Sequence, residues 1–142
     1  AISASSSTGT SVYNETWAHH SESFNNLDVN ATCEDYASNA HIIFVNHDIK
    51  VREDYHGHDG CISFFSSLFP KMTGVDGSIT SDFYFTEDSD PVVESTGVVF
   101  LAWNSSSPSY VFDWGTDTFV MDLEGKFVNH NLYCKGMPVS GY

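Results

Sequence analysis

The sequence predicts an α+β domain in which three N-terminal helices pack on a strongly curved, antiparallel or mixed β-sheet. Two patterns carry this. In the first half, apolar residues recur at helical spacing, beginning with Tyr13, Trp17, His20, Phe24 and Leu27 at intervals of four, three, four and three. From Ile79 onward they alternate with period two between turn-forming residues. A third observation sets the scale: 142 residues, 41% hydrophobic and 15% aromatic, suit one domain with a substantial core.

Residues 1–10 are rich in Ser, Thr and Gly and read as a flexible N-terminal segment. The domain is expected to span 11–135, with 136–142 as a C-terminal tail. The Tyr13–Leu27 pattern predicts the first helix. Asp28 can cap a second, short helix with Val29, Cys33 and Tyr36 on its apolar side. Ala40–Val45 reads as a strand. Gly57 and Gly60 frame a loop, and Cys61–Phe69 reads as a third helix that stops near Pro70. The rest reads as strands: 79–86 with Phe83 and Phe85 on one side, 92–103, 110–122 and 127–133. Turns fall at 104–108 and at Glu124-Gly125. There is no internal repeat. A curved sheet wrapped over helices leaves a cone-shaped cavity between the layers.

The 110–122 strand is the most informative segment. Alternation places Val111, Asp113, Gly115, Asp117, Phe119 and Met121 on one face. Asp117 then stands beside Phe119 and Met121 on an inward face. A carboxyl in apolar surroundings must be hydrogen-bonded or protonated. It is either a structural acid held by backbone or by Thr116 and Thr118, or a general acid or oxyanion donor. His20 lies on an apolar helix face between Trp17 and Phe24. It is either a hydrogen-bonded core histidine or a cavity group that titrates near neutral pH. His130, between Val128 and Leu132 on the last strand, is a third candidate. His19 faces another side of the helix and reads as surface.

Composition excludes several functions. Nineteen acids stand against five basic residues, for a net charge of −14. With no basic stripe, nucleic-acid binding is excluded, and anionic membrane surfaces are disfavoured. No apolar run approaches the roughly 20 residues of a membrane helix. No Ser sits in a glycine elbow, no Cys neighbours a His, and no phosphate-binding glycine loop occurs. His56-Gly57-His58 with Asp54 and Asp59 supplies half of a metal site at most, and a solvated loop explains it without a metal. No cofactor is expected.

Cys33, Cys61 and Cys134 allow one internal disulfide or three free thiols. Three sequons, at Asn14, Asn30 and Asn104, exceed the roughly two expected by chance and point to a secreted or organelle-lumen protein. The chain opens Ala1-Ile2-Ser3 without Met, which points to an upstream segment removed or not included.

Three segments, in order, resemble the NTF2-like superfamily and its SnoaL-like group over roughly residues 12–134. They are His20–Asp28 followed by Tyr36–Ala40; Gly57-His58-Asp59-Gly60 leading into Phe64-Phe65; and Gly115–Val120 with Gly125–Val128. The resemblance implies an NTF2-like cone, a deep apolar cavity and, in many members, a homodimer. It also carries site positions across. Asp117 falls where ketosteroid isomerases hold a protonated, oxyanion-donating Asp, and His20 falls where their Tyr partner lies. Phe44 falls at their general-base Asp, so the resemblance implies that the isomerase triad is incomplete here.

The expected function is a cofactor-free acid/base lyase, isomerase or cyclase acting on an apolar carbonyl compound. Asp117 would protonate or stabilise an oxyanion, and His20 or His130 would move the proton. Trp17, Phe24, Phe44, Phe65, Phe83, Trp103 and Phe119 are expected to line the pocket. The alternatives are a non-catalytic ligand-binding protein and a homodimeric assembly module. The expected partners are a small apolar ligand or substrate and a second copy of the chain, with no membrane insertion.

Overall fold

The computed structural model describes residues 11–83, 92–93 and 97–140. Helix α1 spans Val12–Asn25, and the Ser11 side chain caps it by accepting from the Asn14 N–H at 3.1 Å. On its predicted face His20 is buried, while Tyr13, Trp17 and Phe24 pack against the core. Leu27 lies beyond the helix with φ 56°, where the chain turns into α2, Val29–Glu34. Asp28 caps α2 by accepting from the Ala31 N–H at 3.0 Å.

Tyr36, expected on the apolar side of α2, instead opens strand β1, Tyr36–Asn46. β1 pairs antiparallel with β2, Val51–His56. Alternation does not reveal β2 because Arg52, Glu53, Asp54 and His56 are all exposed, as suits an edge strand. The expected loop at Gly57–Gly60 is instead the start of helix α3, Gly57–Leu68, entered through Gly57 at φ 68°. α3 buries Cys61, Phe64, Phe65 and Leu68 and tightens into a 3₁₀ turn, Phe69–Met72, around Pro70.

The remaining strands are β3 (Ser81–Phe83), β4 (Val92–Val93), β5 (Val98–Ser106), β6 (Tyr110–Met121) and β7 (Phe127–Pro138). The sheet order is β2-β1-β7-β6-β5-β3, with β4 also on β5. β1 and β7 are parallel and the other pairs antiparallel. Phe85 lies outside the described residues. The expected 92–103 strand is two strands paired with each other, Val92 opposite Val99, with Gly97 at φ 67° before β5. β5 runs through Ser106, past the expected start of its turn. β7 runs to Pro138, three residues beyond the expected end of the domain at 135.

A bulge corrects the face assignment on β6. Phe112 pairs with Gly136 but Trp114 with Lys135, so one extra residue enters β6 there. The phase slips, Asp113 is exposed, and Phe112 takes the inward position. Beyond the slip, Gly115, Asp117, Phe119 and Met121 face inward as expected.

Trp103, Phe65, Phe112, Phe119, Phe127 and Ile42 are fully buried between the sheet and the helices. A disulfide joins Cys33 of α2 to Cys61 of α3, and Cys134 is a buried free thiol. Burial pushes the Cys134 thiol up to about 12, so it stays protonated. Among the described residues, no helix is long and apolar enough to cross a membrane.

Candidate functional site

Three adjacent strands bring the polar residues of the site together. On β5 and β6, Trp103 lies opposite Gly115 and Leu101 opposite Asp117. On β6 and β7, Asp117 lies opposite Leu132 and Phe119 opposite His130. Trp103, Asp117 and His130 therefore share the inward face. The Trp103 ring covers Gly115, where a Cβ would stand 2.3 Å from its Cζ2. Glycine at 115 lets the indole lie flat against the sheet with its N–H beside Asp117.

A buried hydrogen-bonded chain results. Trp103 Nε1–H donates to Asp117 Oδ1 at 2.9 Å. His130 Nε2 lies 3.1 Å from Asp117 Oδ2, and its Nδ1 lies 2.8 Å from the Tyr36 hydroxyl. Burial, with the charges of Asp117 and Asp35 nearby, holds the Tyr36 phenol well above 10, so it keeps its proton. With Asp117 as a carboxylate, donor counting orders the chain: His130 Nε2–H donates to Asp117, and Nδ1 accepts from the Tyr36 O–H. The capping of Asp117 expected from Thr116 or Thr118 is supplied instead by Trp103 and His130.

A cavity of about 220 Å³ opens over Asp117. Of the residues expected at a pocket, Trp17, Phe24, Phe65, Phe83, Trp103 and Phe119 line it, together with Leu68, Met72, Leu101 and Leu132. Phe44 does not. Its side chain packs on Phe64 and lines a separate cleft of about 10 Å³ with Tyr55. Although β1 crosses the whole core, the cavity lies over β5, β6 and β7. Exposed Phe83 and Asn25, with half-buried Ser21, mark its mouth.

His20 reaches the cavity from α1. It is not in hydrogen-bond contact with Asp117 or His130, and the Phe119 ring touches both imidazoles, its centroid 5.3 Å from His20 and 3.9 Å from His130. Burial drives the His20 imidazole down to about 3, with His130 and His19 adding to the effect. At neutral pH it is an uncharged ring with one N–H donor, not a titrating base. Its Nδ1 is buried without a hydrogen-bond partner.

His19, read from the sequence as plain surface, is half-buried. Its Nδ1 lies 2.9 and 2.8 Å from the two oxygens of buried Asp35. No local sequence signal marks Tyr36, Asp35 or the polar role of Trp103. Their partners lie on other strands or helices. His56 stacks on His41, and Asp54 pairs with His41 and Arg52. Among the described residues, no group of three His, Cys, Asp or Glu is placed to hold a metal.

No family model matches the chain, and no curated protein does. Solved structures do. A steroid delta-isomerase from Pseudomonas aeruginosa superposes with TM-score 0.63 at 13% identity, over 94% of this chain and 85% of that one. An NTF-2-like protein of unknown function from Burkholderia xenovorans gives 0.54 at 13%, over 87% and 83%. The fold is NTF2-like. The epoxide hydrolase/cyclase-like enzyme SalBIII, of pyran ring formation in salinomycin, shares the same NTF2-like architecture with TM-score 0.52 at 18% identity, over 86% and 89%. At these identities the likeness establishes the fold, and the chemistry must come from the side chains in the cone.

Proposed function

We propose that this protein binds a small, mostly apolar carbonyl compound in its cone and catalyses a cofactor-free proton transfer, as an isomerase, lyase or cyclase. The observation that carries this is Asp117: a carboxyl held at both oxygens, yet facing an aromatic cavity. Trp103 and His130 fix its orientation and leave a lone pair on each oxygen. The roles differ from those expected from sequence. Asp117 acts as general base, and neutral His20 donates a hydrogen bond to the carbonyl oxygen. Asp117 takes the proton from the carbon beside the carbonyl. The C–H electron pair passes into the carbonyl, and the resulting enolate oxygen is met by the His20 N–H. In a β,γ-unsaturated ketone, the proton held by Asp117 returns at the γ-carbon and completes an isomerisation; in a β-hydroxy ketone, that proton passes to the departing hydroxyl, which leaves as water and completes a dehydration.

The cavity limits the substrate to one or two rings, since about 220 Å³ falls below the roughly 300–1,000 Å³ of drug-sized sites. The test is a panel of β,γ-unsaturated cyclic ketones and β-hydroxy ketones incubated with wild type and Asp117→Asn, with the conjugated enone product followed by ultraviolet absorbance and proton NMR. Turnover by wild type, lost in Asp117→Asn with binding retained, is expected. Turnover that survives in the variant removes the proposal. Binding without product across the panel leaves the second reading, a ligand carrier. That reading is favoured by the two hydrogen bonds that already occupy Asp117.

Two further properties belong to this proposal. On the outer sheet face Phe100, Tyr133 and Met137 are exposed beside half-buried Trp114, which suits a homodimer and is tested by sizing at micromolar concentration. The disulfide, with exposed Asn30 and Asn104 in their sequons, suits a secreted or lumenal protein and is tested by glycosidase digestion of material from a secretory host.

A further inference from the structure

One polar cluster lies outside the Trp103–Asp117–His130–Tyr36 chain yet ends at the same cavity. His19 is 43% exposed at its side chain, and its Nδ1 meets both oxygens of Asp35. Asp35 is buried where α2 runs into β1. On its far side, Asp35 Oδ2 stands 4.0 Å from Nδ1 of His20, the buried nitrogen without a hydrogen-bond partner. The His20 ring lines the cavity. One carboxyl thus lies between a solvent-touching imidazole and a cavity imidazole, 2.8 Å from the first and 4.0 Å from the second.

We infer that His19, Asp35 and His20 form a proton path between bulk solvent and the cavity, with Asp35 as the group that swings between the two imidazoles. The inference gives the proposed proton-transfer chemistry its exchange route and rests on that reading for its purpose. The steps balance. His19 takes a proton from solvent on Nε2 as its Nδ1–H passes to the Asp35 carboxylate. The resulting carboxylic acid turns to His20 and delivers that proton to Nδ1. In the same step the ring releases the proton on its other nitrogen to the cavity occupant. His20 gains and loses one proton together, so no imidazolium persists in a site that opposes one. Every step is reversible.

The surroundings agree with this. The Asp35 hydrogen bond raises the His19 pKa, and the charges of Glu34 and Glu22 add to it. Burial raises that of Asp35 against the opposing effects of His19 and Lys126, and Glu34 adds a little. Burial of Asp35 thus favours the protonated carboxyl that the relay passes through. The charged or titratable neighbours of His20 are Asp35, Tyr36, His130 and His19. Asp35 and His19 do not touch the proposed substrate and act through His20, as positioning and relay residues.

The test is the exchange of the His20 ring N–H with water in ligand-free protein, followed by NMR on histidine-labelled samples from pH 5 to 8. In wild type the rate should follow the protonation of His19. In Asp35→Asn it should fall at least tenfold. In His19→Gln, which can still hydrogen-bond to Asp35 but cannot relay a proton, it should also fall at least tenfold and lose its pH dependence. A His19→Gln rate equal to that of wild type means that exchange runs through the cavity mouth, and overturns the inference whatever Asp35→Asn does. Because no ligand is used, failure to find turnover leaves this result standing on its own. Should Asp35→Asn not fold, the half-exposed His19→Gln substitution decides the matter alone.

Discussion

Asp117 and His130 project from neighbouring strands of the sheet and meet at 3.1 Å, carboxylate oxygen to Nε2, with Phe119 stacked on the imidazole. The contact fixes the tautomer of His130. A carboxylate only accepts, so Nε2 carries the proton and Nδ1 accepts from Tyr36. Asp117→Asn keeps the shape and reverses this order. The Asn carbonyl can still accept from Trp103, while its amide donates to Nε2 and drives the proton to Nδ1. We expect a folded protein whose melting temperature stays within a few degrees of wild type. Its His130 ring should show the opposite tautomer by nitrogen NMR, and turnover should be lost. An unchanged tautomer would show that Asp117 does not govern the ring.

Gly115 provides a structural test of the same chain. An alanine Cβ there would meet the Trp103 indole at 2.3, 2.4 and 2.8 Å, and the indole is rigid and 1% exposed. The ring must shift, and its N–H leaves Asp117. Gly115→Ala should cost about 1–3 kcal/mol, the usual range for overpacking a core. It should also change the indole N–H chemical shift of Trp103. Urea unfolding with a matching two-dimensional spectrum checks both. A neutral substitution would mean that the sheet relaxes there.

The inward face of β6 is legible in sequence because Phe119 and Met121 repeat with Asp117 at period two. The same rule misplaces Val111 and Asp113, since a one-residue bulge before Gly115 inverts the phase and alternation cannot count an inserted residue. His20 is legible because it shares the α1 stripe with Trp17 and Phe24. Its Asp35 neighbour is not, since α2 must fold back to place it there. Tyr36 and His130 are 94 residues apart. Their contact exists only because β1 and β7 run parallel, a pairing that no local pattern encodes. Phe44 lies on β1, whereas the cavity lies over β5 to β7, and which strands border the opening is set by the sheet order and not by any local pattern. β2 has too little apolar alternation to read, since only Val51 and Tyr55 are half-buried among four exposed polar residues.

The disulfide should contribute strongly to stability. Cys33 and Cys61 are separated by 28 residues and hold α2 against α3. Closing a loop of that length restricts the unfolded chain by about 3–4 kcal/mol in the chain-entropy estimate. Cys33→Ser with Cys61→Ser should lower the urea midpoint accordingly, as should reduction of the wild type. The buried thiol of Cys134 should remain unreactive toward alkylating reagents until the protein unfolds. Rapid labelling of Cys134 in the native state would contradict its burial.

His20 makes stability depend on pH, and the sign follows from its depressed pKa. The unfolded chain binds a proton at this histidine near 6.5, whereas the folded protein resists it down to about 3. Between those values the unfolded state holds the extra proton, so stability falls as the pH drops. It does so by about 1.4 kcal/mol per pH unit in the middle of the window. From pH 6.5 to 4.5 the loss attributable to His20 approaches about 2–3 kcal/mol. Asp35, whose pKa is raised by burial, works the other way near its own titration, and relief of the net negative charge also favours the folded state as acid is added. Comparing wild type with His20→Phe largely cancels both. The phenyl ring can take the same place against Trp17, Phe119 and Phe127. It also removes a buried nitrogen without a partner. The variant should therefore match or exceed wild type at pH 7. Urea unfolding at pH 7, 5.5 and 4.5 should show its advantage growing as the pH falls. Parallel curves for the two proteins across that range would mean that His20 is protonated in the folded state as readily as in the unfolded chain. It could then not serve as the neutral hydrogen-bond donor of the cavity.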